Sequence, residues 1–145
     1  DHVRALRALA TATAATVLAG EADAAAIEQR TGIRVKRGLR HGDKVRLPGI
    51  SLDVIGLRGH TPGSIALAYA EPGQPTHLFT GDSLFPGGVG NTEGDPARFN
   101  QLMDDAVRRV FDVYDDSAIV HPGHGAPTTL GAERPELDNW RARGW

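Results

Sequence analysis

The stretch Gly59-His60-Thr61-Pro62-Gly63-Ser64 closes one short apolar run, Leu52 to Leu57, and opens another, Ile65 to Ala70. Two glycines and a proline around one imidazole describe a sharp, stiff turn that ends a strand and presents His60. The same grammar recurs downstream. The run His77 to Thr80 ends in Thr80-Gly81-Asp82-Ser83-Leu84-Phe85, and Ala118 to Val120 ends in His121-Pro122-Gly123-His124-Gly125. Each loop delivers one metal-capable side chain: His60, Asp82 or His124. Three such deliveries in chain order predict a metal site, because hydrolytic metal centres need neutral imidazoles and carboxylates converging from separate elements. Asp82, coming straight off the apolar strand, is expected to sit deep, where a cation would offset the cost of burying its charge.

Outward from these loops, Val45 to Leu47 joins the three central runs in a predicted β-meander, punctuated by turns such as Glu71-Pro72-Gly73. Asp95-Pro96 reads as a helix start, a capping carboxylate followed by proline at the first helical position. Phe99, Leu102, Met103, Ala106, Val110 and Val113 then mark one helical face. Before the meander, Val3 to Ala12 has helical spacing with Asp1 as its N-cap. Thr16 to Ala19 reads as a strand and Glu21 to Arg30 as a helix; Glu136 to Arg143 predicts a short terminal helix.

Composition narrows the function classes. The 145 residues amount to a single domain, or part of one. A formal charge of −2, with scattered charges, leaves no basic surplus for nucleic acid. The absence of cysteine removes thiolates from any ligand set and leaves imidazole and carboxylate. No apolar run approaches the ~20 residues of a membrane span, and the opening residues are polar, so the expectation is a soluble cytoplasmic protein without a membrane partner. His41, in the polar turn Arg40-His41-Gly42-Asp43, and His77, at a strand start, lack the stiffened glycine context and are read as non-ligands. His121 lies three residues before His124 and is able either to hydrogen-bond a neighbour or to reach a metal; His124 is favoured.

Taken in order, Gly59-His60-Thr61-Pro62-Gly63-Ser64, Thr80-Gly81-Asp82-Ser83-Leu84-Phe85 and Pro122-Gly123-His124-Gly125 resemble the motifs of the metallo-β-lactamase superfamily, most closely its glyoxalase II-like (hydroxyacylglutathione hydrolase-like) branch. Asp1-His2 and the helix after it resemble the last two residues of that family's His-x-His-x-Asp-His signature and its continuation; the two leading histidines are missing. The resemblance implies an α/β fold, an αββα sandwich of which this chain supplies mainly the C-terminal half of a single incomplete domain. An isolated half of that kind exposes one apolar sheet face, to be covered by the missing residues or by another copy of the chain in a homo-oligomer.

Carried over residue by residue, the resemblance makes Asp1, His2 and His124 ligands of one metal and His60 a ligand of the other. Asp82 bridges the two, and Asp1 and Asp82 orient the attacking hydroxide. It implies two-metal hydrolysis of a small-molecule thioester or related ester, with zinc as the expected metal and iron or manganese as alternatives. The loop Phe85 to Thr92 is expected to line the substrate mouth. Two departures bear on the activity. The chain ends at Trp145 without the additional helical domain that grips glutathione in glyoxalase II. Relatives that oxidise persulfides with a single iron carry arginine where Asn91 stands. The alternatives to hydrolysis are therefore a mononuclear iron persulfide dioxygenase and a non-catalytic fragment that has lost two ligands.

Overall fold

Alternating small and branched residues give the central strands one apolar face; the strands pair edge to edge through their backbones, and the sheet packs that face against helices. The structure, a computed structural model, describes residues 2–144. The chain opens with helix α1 (Leu6–Thr13), strand β1 (Leu18–Gly20), a single 3₁₀ turn at Glu21–Asp23 and helix α2 (Ala24–Thr31). Strands β2 (Arg37–Leu39), β3 (Lys44–Leu47), β4 (Ile50–Gly56), β5 (Ile65–Tyr69) and β6 (His77–Gly81) follow. A small hairpin, β7 (Leu84–Phe85) with β8 (Gly88–Val89), leads to helix α3 (Pro96–Ala106), then β9 (Ile119–Pro122), β10 (Thr128–Thr129), α4 (Leu130–Glu133) and α5 (Leu137–Arg143). The result is a mixed α/β architecture.

Six strands form the main sheet in the order β10-β9-β6-β5-β4-β3. The meander β3 to β6 is antiparallel throughout, whereas β6 and β9 are parallel neighbours joined by the crossover that contains α3. Since β5 reverses between β4 and β6, strands β4, β6 and β9 all run the same way. Their C-terminal ends therefore share one edge of the sheet, and the loops carrying His60, Asp82 and His124 leave from that edge.

One face of the sheet carries the core. Ile55, Leu57, Ala66, Ala68, Leu78 and Val120 pack against Phe99, Leu102, Met103, Ala106 and Val110 from α3 and its continuation, with Trp140 of α5 closing the end. On the other face Leu67, Phe79 and His121 stand in register, and Phe79 is 46% exposed. No helix among the described residues is long and apolar enough to cross a membrane.

Several local expectations need correction. Asp1 lies outside the described residues, and α1 begins at Leu6, preceded by Ala5 with no side-chain cap; the tight turns of residues 2–5 come first. Strand β2, which pairs in parallel with β1, went unread because Arg37-Gly38-Leu39 has too little apolar content to stand out. The apolar face of α3 ends at Phe111, in a π-helical turn over Val107–Phe111, and Val113 is 62% exposed instead of joining the stripe.

Candidate metal centre

Asp82 is placed by the abrupt end of β6. Gly81 takes a left-handed φ of 52°, which turns the next residue out of the strand, and the Ser83 N–H returns to the Thr80 carbonyl at 3.1 Å. The buried Thr80 hydroxyl donates to the Leu84 carbonyl at 2.7 Å and fixes the far side of the turn. The Asp82 side chain is 27% exposed, so it stands at the rim and not in the depth expected of it. The neighbouring loop is tied to this turn by the Gly123 N–H, which donates to the Gly81 carbonyl at 2.9 Å.

Three imidazoles converge on one carboxylate oxygen. His2 Nε2 lies 3.2 Å from Asp82 Oδ2, His124 Nε2 lies 3.8 Å from it and His60 Nε2 lies 3.9 Å from it. His2 Nε2 and His124 Nε2 are themselves 3.2 Å apart, with the two rings edge-to-face. A tetrahedral zinc ion with bonds of about 2.0–2.1 Å separates its ligand atoms by roughly 3.3–3.4 Å. The observed spacings bracket that value, and three imidazole nitrogens gathered around a carboxylate form a donor set suited to such a metal. The atoms of His2, Asp82 and His124 form a compact group, all within 4.8 Å of one another. His60 stands outside that group and meets it through Asp82 Oδ2, the oxygen common to all three histidines.

The tautomer of His60 follows from its surroundings. Its Nδ1–H donates to the Asn91 carbonyl at 2.8 Å, which leaves the Nε2 lone pair directed at Asp82. Glycines permit the close approach: a Cβ on Gly123 would lie 2.4 Å from Asp82 Oδ1 and 2.5 Å from His2 Cε1. One on Gly90 would lie 2.3 Å from the Asp82 carbonyl oxygen and 2.8 Å from His60 Cβ. Beside the cluster opens a cavity of about 530 Å³ whose remaining walls are Phe85, Pro86, Asn91, Pro122, Gly125 and Ala126. Phe85, Pro86 and Asn91 belong to the loop expected to line the mouth.

His77 and His121 are placed elsewhere. Their Nδ1 and Nε2 atoms hydrogen-bond at 2.9 Å, and His121 stacks on Phe79, all on the open face of the sheet. His41 Nδ1 accepts from the Gly56 N–H at 3.5 Å, away from the cluster. Sequence reasoning missed the residues that hold the His60 loop. Arg98 donates to the Gly59 and His60 carbonyls at 2.9 and 2.7 Å. Asp105, 4% exposed, takes the Arg58 N–H and guanidinium, and Asp23 takes the Gly63 N–H and the Thr61 hydroxyl. Asp105 also pairs with Arg109 at 3.3 Å; its hydrogen bonds to Arg58 raise the pKa of that guanidinium above its ordinary value.

Comparison with known proteins adds to this geometry. A family model described as the metallo-beta-lactamase superfamily matches residues 1–129. A hydroxyacylglutathione hydrolase of Anaeromyxobacter dehalogenans is 34% identical over 147 residues, covering 99% of this chain and 52% of that protein. An uncharacterized protein of Mycobacterium tuberculosis is 40% identical over 97 residues, 66% of this chain and 43% of its own length. The chain thus spans about half the length of the curated relatives it matches, or less. Among solved structures, TTHA1623 in a di-iron-bound form superposes with a TM-score of 0.66 at 32% identity, covering 92% of this chain and 69% of that one.

Proposed function

The chain belongs to the metallo-beta-lactamase superfamily, and from that premise we propose that it is the catalytic part of a metal-dependent hydrolase of thioesters, similar to the hydroxyacylglutathione hydrolases. The observation that carries this reading is the convergence of His2, His60 and His124 on Asp82 Oδ2 beside an apolar cavity. His2 and His124, with Asp1, would hold one metal in this proposal, and His60 and Asp82 would contribute to a second; zinc would suit the imidazole and carboxylate donor set. When bound, the metals polarise a carbonyl and lower the pKa of a water near neutrality.

The protein's own groups do the rest. Asn91 holds His60 in the tautomer that keeps Nε2 available. Asp82 presents Oδ2 to the three imidazoles and would use Oδ1, on the Gly123 side, to orient the attacking water. Phe85, Pro86 and Ala126 form an apolar wall that receives an acyl chain and keeps bulk water from the reacting carbonyl. Addition of water across the carbonyl carbon to sulfur bond yields a carboxylate and a thiol. The test is thiol release from S-lactoylglutathione and simpler acyl thioesters, on protein of measured metal content. Turnover that is lost with a chelator and restored by zinc is expected; a metal-loaded protein that releases no thiol from any of them overturns the reading.

One observation favours a second reading, the mononuclear iron persulfide dioxygenase: His2, Asp82 and His124 form a compact group that excludes His60. Bound iron at one equivalent, with oxygen consumed in the presence of a persulfide, would establish it over hydrolysis.

A further inference from the structure

One wall of the cavity beside the metal cluster is built on a turn that does not hold itself. Phe85 and Pro86 belong to the hairpin of β7 and β8, in which Phe85 pairs with Gly88 and only Pro86 and Gly87 form the connection. Proline at the first central position and Gly87, with a φ of 85°, at the second are the marks of a type II turn. Hairpins with two connecting residues favour the mirror-image turns, because types I and II splay the flanking strands. Strands of two residues each add little resistance to that splaying.

Two side chains from the C-terminal helices supply what the turn lacks. The Gly87 N–H donates to Glu133 Oε2 at 2.9 Å, and Arg143 Nη2 donates to the Gly87 carbonyl at 3.2 Å. Arg143 also lies over the next residue: a Cβ on Gly88 would be 3.1 Å from its Nη2. Glu133 is 7% exposed, and its second oxygen accepts from the Thr128 hydroxyl at 2.7 Å. Thr128 opens β10, directly after the loop that contributes Gly125 and Ala126 to the cavity, and pairs with Val120 on β9. One buried carboxylate therefore ties the Phe85–Pro86 wall to the strand at the foot of another wall.

We propose that Glu133 is a positioning residue for the acyl group of the substrate. By holding Gly87 it keeps Phe85 and Pro86 in place against the chain, and so selects thioesters with an apolar acyl chain over short polar ones. The inference rests on the hydrolase reading above for the reaction, and on the cavity alone for binding. Beyond Asp82 and the histidines, the cavity is lined by Phe85, Pro86, Pro122, Ala126, Gly125 and Asn91, with no charged side chain among them. Each methylene buried against such a surface adds roughly two- to fourfold to affinity, and a wall free to swing into solvent forfeits that increment.

The experiment is calorimetric titration of the metal-free protein with S-butyl-, S-hexyl- and S-octyl-N-acetylcysteamine, neutral thioethers that cannot be hydrolysed. Thiol release from the matching acyl thioesters by metal-loaded protein is measured beside it, on the parent, Glu133→Ala, Glu133→Gln and Arg143→Ala. In the parent, affinity and kcat/KM are expected to rise about two- to fourfold per methylene. Glu133→Ala is expected to flatten both dependences while bound metal stays at the parental level. Glu133→Gln, whose amide oxygen accepts from the Gly87 N–H and whose amide nitrogen donates to the Thr128 hydroxyl, is expected to restore them. Arg143→Ala, which frees only the exposed side of the turn, should lie between. A parental dependence on chain length in Glu133→Ala overturns the role of Glu133. An equal fall for every chain length, or loss of metal, in that variant also overturns it, since that is general damage to the fold. Affinity that does not rise with chain length in the parent overturns the substrate class as well. Affinity that rises with chain length in a parent that releases no thiol supports the wall and overturns the hydrolase reading. Should Glu133→Ala not fold, a parental dependence in Arg143→Ala overturns the claim that the turn must be held.

Discussion

The loops bearing His60 and His124 leave the same edge of one sheet and reach the same carboxylate, yet they are built in opposite ways. The His60 loop is packed and cross-tied: Leu57 and Gly59 are buried, Arg58 is bound to a buried Asp105, and Arg98 and Asp23 hold its apex and exit. Residues 123–127 are exposed without interruption, and the His124 side chain is 60% exposed against 32% for His60. One candidate ligand, His60, is thus fixed by the fold, whereas His124 draws more of its order from the cluster it joins. Preorganisation of one wall lets a metal select the geometry of the other.

The hardest test of this contrast is the residue common to both sides. Asp82→Asn keeps the shape but removes the charge that three imidazoles share, so metal should be lost from both sides and thiol release should fall by more than the roughly 100-fold that orienting partners cost. Elemental analysis beside turnover checks it; retention of one full equivalent of metal would show that the two sides are independent.

Next is the foundation of the rigid side. Asp105→Ala leaves Arg58 and Arg109 facing an empty carboxylate position and frees the base of the His60 loop. A cost of about 2–3 kcal/mol is expected, below the range for a fully buried pair because Arg58 is half exposed. Urea denaturation of the metal-free protein measures it, and a loss under about 0.5 kcal/mol, the usual surface value, would mean that the loop does not depend on this anchor.

A matched pair of substitutions sharpens the comparison. Gly90→Ala drives a methyl into the Asp82 carbonyl and His60 Cβ within buried surroundings, and should cost about 1–3 kcal/mol as overpacking. Gly123→Ala makes contacts as close, at 2.4 and 2.5 Å, but on the exposed loop, which is free to shift. It should lower metal affinity about 10-fold with stability within about 0.5 kcal/mol of the parent. Equal stability losses would erase the distinction between the two walls.

What the sequence revealed follows the same division. Asp95-Pro96 announces α3, and the Asp95 carboxylate does accept from the Ala97 and Arg98 N–H groups; glycine and proline announce the loops. These signals are local. The residues that hold the His60 loop act across the chain: Arg98 lies 38 residues from His60 and Asp105 lies 47 from Arg58, and nothing in their neighbourhood separates them from an ordinary charged helix face. Their one trace is the seven-residue spacing, which has meaning only once the partner loop is known. The His77–His121 pair was equally hidden, because it depends on the parallel register of β6 and β9.

The smallest effect is expected where pairing occurs without burial. Asp43 accepts from the Arg40 N–H at 3.0 Å and pairs with Arg37 at 3.2 Å, an arrangement resembling that of Asp105 but on an exposed turn. The Arg40 N–H, followed by the Arg37 charge, holds its carboxyl below the ordinary value. A depressed folded-state pKa means that the stabilisation is fully present above the unfolded carboxylate's pKa of about 3.9 and is lost as pH falls through the folded value. Asp43→Asn should therefore move the urea midpoint only slightly at pH 7, and the difference from the parent should vanish as the pH falls below the ordinary carboxylate range, measured alongside Asp105→Ala. If Asp43→Asn costs as much as Asp105→Ala, charge pairing rather than burial makes the His60 side rigid, and the contrast between the two loops would rest on the wrong cause.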